Sequence, residues 1–127
     1  MSLTNDLIST ITYDSVTISV PQGTTADFDI DIEDESTGKK YVPTSSTKVV
    51  FGVKRNKDDN TLLISKELTY NSGFDNYHLK ILPEDTTDLP RGRYYFDISL
   101  SESEEFFKQI VPVSIFMITA SIAVNPA

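Results

Sequence analysis

Residues 82–100 read LPEDTTDLPRGRYYFDISL. The second half of this stretch separates into two faces, with Tyr94, Phe96, Ile98 and Leu100 on one and Tyr95, Asp97 and Ser99 on the other. Side chains that alternate with a period of two belong to a half-buried strand. The first half is a polar corner ahead of that strand. Leu89 is placed to plug a core, Pro90 and Gly92 to set the bend, and Tyr94 to bond back to the corner backbone. This is how a chain crosses between two packed sheets, and the tyrosine corner of immunoglobulin-like sandwiches is built this way.

Working outward, short strand patterns separated by turn-forming clusters fill the rest of the chain. Val16, Ile18 and Val20 alternate with polar residues, and Phe28, Ile30 and Ile32 alternate with Asp27, Asp29, Asp31 and Glu33. A hairpin turn is expected around Gly38, with a short edge segment over residues 40–42. Val49, Phe51 and Val53 share a face, as do Tyr77, Leu79 and Ile81. A strand begins near Leu62 and Ile64, and the last runs from Phe106 to Thr119. No long helical pattern occurs, and the corner at residues 84–88 has room for one helical turn. About seven or eight strands, spaced by turns, predict an all-β, immunoglobulin-like antiparallel sandwich. The expected organisation is an N-terminal arm or extra short strand over 1–12, the sandwich over 13–119 and a tail over 120–127.

Composition narrows the function. The 127 residues suffice for one domain with a real core, and 7 Phe and 6 Tyr supply large apolar side chains. With no cysteine there is no disulfide, thiolate metal site or cysteine nucleophile. A net charge of −8, from 19 acidic and 11 basic residues, argues against nucleic acid and against an anionic membrane surface. The most apolar run, Ile110 to Ile118, is too short to span a bilayer and contains Pro112. The first ten residues lack the charge and apolar core of a signal peptide.

No residue pattern selects a catalytic site. His78, the single histidine, is expected to face solvent from a strand, with no orienting carboxylate evident from its neighbours. The acidic ladder Asp27, Asp29, Asp31 and Glu33 is the one metal candidate, for calcium. Ligands on a straight strand sit about 7 Å apart, so a face that is solvated or paired with lysines is the preferred reading. No enzyme activity, cofactor or resident metal is therefore expected. The last strand is apolar on both faces, which calls for a cover on its outer side. That cover is the N-terminal segment, through Leu7, Ile8 and Ile11, or a loop, or else a subunit interface through Val111, Val113, Ile115 and Met117. Pro112 places this strand at an edge or in a bulge.

The order of motifs resembles small immunoglobulin-like structural proteins of tailed phages and prophages of Gram-positive bacteria, akin to the N-terminal domain of phage baseplate upper proteins. The resemblance rests on Thr25 to Ile32 after Gln22-Gly23-Thr24, on Val49-Val50-Phe51-Gly52-Val53-Lys54 and on Leu63-Ile64-Ser65-Lys66. Its strongest part is Leu82 to Tyr94 continuing into Phe96-Asp97-Ile98, and its last is Pro112, Phe116, Ile118 and Thr119. It implies a non-enzymatic virion component of the baseplate, tail or head-neck that assembles with other virion proteins or with itself. Such a protein would be found in the virion, or in the host cytoplasm during assembly. A second reading from the residues alone is a carbohydrate- or cell-surface-binding module with Tyr41, Tyr70 and Tyr95 as stacking platforms.

Overall fold

The computed structural model describes residues 16–34, 37–104 and 106–122. The arm or extra short strand over 1–12, with the cover by Leu7, Ile8 and Ile11, and most of the tail lie outside the described residues.

The protein is all-β, with sheets packed face to face. Ten strands form among the described residues: β1 (Thr17–Pro21), β2 (Ala26–Ile30), β3 (Glu33–Asp34), β4 (Lys39–Lys40), β5 (Lys48–Lys54), β6 (Ile64–Glu67), β7 (Thr69–Asn71), β8 (Asn76–Ile81), β9 (Gly92–Ser103) and β10 (Phe106–Thr119). A single helical turn, α1 (Pro83–Thr87), joins β8 to β9. One sheet has the order β1-β10-β9-β5-β6 and the other β2-β8-β7, while β3 and β4 form a separate ribbon. The sheets are not wholly antiparallel, because β1 runs parallel to β10, with Thr17 opposite Ile115 and Pro21 opposite Thr119.

The inward positions follow the period-two pattern. Val49, Phe51 and Val53 of β5 and Tyr94, Phe96, Ile98 and Leu100 of β9 are buried, and they meet Tyr77, Leu79 and Ile81 of β8. Phe51 packs on Phe96 with ring centroids 5.3 Å apart, and edge-on against Phe116 at 5.9 Å. Each such ring removed from water contributes roughly 1.5–3 kcal/mol.

The corner is held from both sides. The Tyr94 hydroxyl donates to the Pro90 carbonyl at 2.5 Å, and Leu89 packs against the core. Asp85 accepts from the Leu82 N–H at 2.7 Å and from Lys66 at 2.8 Å, tying α1 to β6. The turn after β1 grips the same corner: Gln22 Nε2 donates to the Leu89 carbonyl at 2.7 Å, and the Gly23 N–H donates to the buried Thr86 hydroxyl at 2.8 Å.

In β10 the alternative left open at Pro112 closes in favour of the bulge, and one expectation changes. The strand lies inside the sheet, between β1 and β9, and Pro112 sits in a bulge. The register shifts between Gln109 and Val111 and again between Val111 and Ser114. A proline has no N–H for the ladder, and extra residues at a bulge break the alternation. Val111 therefore lands opposite buried Ile98 and is itself buried, while Val113, Ile115 and Met117 stay outward. The four-residue outer face expected from strict alternation has three members.

Candidate interaction face

The outer face of the five-stranded sheet holds a groove of about 510 Å³. Its floor is low because the central outward positions are small. Gly52 lies opposite Asp97, and Ser99 lies next along β9. A Cβ on Gly52 would come within 3.0 Å of a Leu62 methyl, so the missing side chain is what lets Leu62 fold over the sheet. The walls are taller and apolar. Leu62 is 50% exposed, Val113 44% and Phe107 72%. Tyr95 closes one end, with the Lys57 ammonium 5.1 Å from its ring centroid. Within the groove, Asp97 accepts a hydrogen bond from Gln109 at 2.8 Å.

Beyond Tyr95 the groove continues into a more polar recess of about 290 Å³, lined by Lys57, Arg93, Ile115 and Val113. Lys54 and Arg93 make no ion pair among the described residues. A strip of positive charge thus borders apolar walls in a chain whose net charge is −8. Val113 and Ile115, read from the sequence as interface candidates, line this region. Asp97, Leu62, Lys57 and Phe107 were not singled out there. The signals for them were a glycine inside a valine-rich strand and a second phenylalanine directly after a charged turn.

The opposite face carries the acidic ladder. Asp27 lies across from Lys80, and Asp29 across from His78. His78 Nδ1 lies 2.9 Å from Asp29 and its Nε2 3.0 Å from Asp27, so the orienting carboxylates that its own strand lacks come from β2. These contacts, Asp29 first, hold the imidazole pKa above its ordinary 6.5. Asp31 lies 3.4 Å from Lys40, and Glu33 is opposite Lys40 in the β3–β4 ribbon. Neighbouring cations therefore share the ladder, and no group of three or more histidine or carboxylate side chains is set to hold a metal among the described residues.

The tyrosines divide. Tyr41, read as an exposed platform, is only 4% exposed, and its hydroxyl contacts Glu102 and Thr47. Burial, then the Glu102 contact, raises its pKa well above the usual tyrosine value. Tyr70 packs on the core beside Tyr77, their centroids 5.3 Å apart. Tyr95 lines the groove on the outer face of the five-stranded sheet.

Comparison with protein-family models gives no match, and comparison with curated proteins gives none either. Among the described residues no helix is long and apolar enough to cross a membrane.

Proposed function

We propose that the protein is a non-enzymatic structural component of a tailed-phage or prophage virion, built as an immunoglobulin-like sandwich, which docks through the outer face of its five-stranded sheet. The sheet orders β1-β10-β9-β5-β6 and β2-β8-β7, together with the Tyr94–Pro90 hydrogen bond, support the fold. The motif from Leu82 to Tyr94 supports the virion assignment. The observation that carries docking is the cluster of Leu62, Phe107 and Val113, left exposed around one groove where an unpartnered sheet face would be polar.

Size exclusion with light scattering tests this, for the protein alone and mixed with purified virion proteins encoded beside it. A closed oligomer or a co-eluting complex is expected, and Phe107→Ser/Val113→Asp should abolish it with the melting temperature kept. A monomer that joins no protein of that set would overturn the assembly role.

One observation favours a second reading, a carbohydrate- or cell-surface-binding module: Tyr95 shares the groove with the polar side chains Asn60 and Asp97. Titration of tyrosine fluorescence with wall sugars, with Tyr95→Ala as control, distinguishes it. Flat titrations would remove it.

A further inference from the structure

We infer that the groove over β5, β9 and β10 takes a short acidic-apolar segment of a partner protein. The carboxylates of that segment meet Lys54, Lys57 and Arg93, and an apolar side chain enters between Leu62 and Phe107. This rests on the docking role proposed above for the same face.

Three features define the occupant. The first is size. A groove of about 510 Å³ is that of a pocket for one anchor and its neighbours. Its low floor at Gly52 and Ser99 between the Leu62 and Phe107 walls fits an inserted apolar side chain. The second is charge. The chain as a whole carries −8, yet Lys54 lines this groove and Lys57 and Arg93 line its extension. Lys54 and Arg93 have no internal carboxylate partner among the described residues, so their charges are available to an incoming anion. Such placement sets register and on-rate in protein recognition. The third feature excludes the obvious alternatives. A phosphate polymer needs a long basic track, which a chain of net charge −8 lacks, whereas a short segment meets only the local Lys54, Lys57 and Arg93, with Asp97 held by Gln109. On β2 the outward positions are Asp27 and Asp29 while Ala26, Phe28 and Ile30 turn toward the core, so a second copy stacked through that strand would bring charge and no apolar anchor to the groove.

The test is fluorescence anisotropy on the full chain, with a labelled peptide in which aspartates flank a leucine-phenylalanine pair. Controls are a peptide with lysines for the aspartates and one with serines for the apolar pair. Only the acidic-apolar peptide should bind. Its affinity should fall about tenfold or more in Lys54→Glu/Lys57→Glu. It should also fall as salt is raised from about 0.05 to about 0.5 M, which shortens the screening length several-fold. Val113→Asp should also abolish binding. Equal binding of the lysine peptide, unchanged affinity in Lys54→Glu/Lys57→Glu, or no binding of any peptide would overturn the inference. So would binding of N-acetylglucosamine oligomers in the peptide's place, or self-association lost in Val113→Asp, although the docking face itself would then stand. If Val113→Asp changes nothing in any of these assays, the face is wrong as well.

Discussion

Two single side chains show how local chemistry is spent in this molecule. The Tyr94 ring is buried in the core and its hydroxyl reaches the Pro90 carbonyl. Tyr94→Phe keeps the ring and loses one hydrogen bond, so chemical denaturation should show a loss of about 1 kcal/mol with the fold retained. A loss indistinguishable from zero would mean that water replaces the bond without cost. His78 works by charge. Its contacts with Asp29 and Asp27 favour the protonated ring, so its folded pKa lies above the unfolded value of 6.5. The stabilisation is then fully present below pH 6.5 and is lost as pH rises through the folded pKa. The melting temperature should drift down across that window in the wild type, and His78→Gln should flatten the drift. The site is solvent-exposed, so the drift is small and should shrink further in high salt.

At the scale of elements, turns and bulges decide more than strand propensity does. Gly92 opens β9 with φ +138°, and a Cβ there would meet the Arg55 guanidinium at 3.3 Å. Arg55 is held in place over the Tyr94 ring, 4.6 Å from its centroid. Gly92→Ala should cost about 1–3 kcal/mol in urea unfolding, because the backbone must leave this region or carry strain. Asp85 both caps α1 and pairs with Lys66, and Asp85→Ala should cost roughly 1–2 kcal/mol by the same measure. If Lys66→Ala costs as much, the cap contributes little beyond the ion pair. The strands themselves were legible in the sequence wherever alternation was unbroken, as in Val49 to Val53 and Tyr94 to Leu100. They were misread at Val111, because alternation cannot reveal that the register shifts on both sides of that residue. Tyr41 was misread for a related reason: it lies in a short irregular segment, and the core it joins and the Glu102 carboxylate its hydroxyl meets are far away in sequence.

At the scale of the whole molecule, the all-β class could be read from period two and turn spacing, but the groove could not. It depends on which outward positions of three different strands become neighbours, and Gly52, Asp97 and Val113 are far apart in the chain. The acidic ladder was visible as a row, while its partners His78, Lys80 and Lys40 appeared only once β2 met β8 and Lys40 came within reach of Asp31. One further consequence belongs to the parallel pairing of β1 with β10. Val16 leads into β1 at the end where Ile115 lies, whereas Thr119 leaves at the opposite end beside Pro21. A tension applied between Val16 and Thr119 therefore runs along the strands and across every rung of that ladder at once. The rungs are loaded in shear and must fail together, where a hairpin pulled from its open end would unzip one rung at a time. In single-molecule stretching, the force to rupture the β1–β10 ladder through Val16 and Thr119 should exceed the force needed to peel edge strand β6 from β5 by pulling through Val50 and Glu67, the open end of that hairpin. Between Val16 and Thr119, load is thus carried along the strands by the whole β1–β10 ladder.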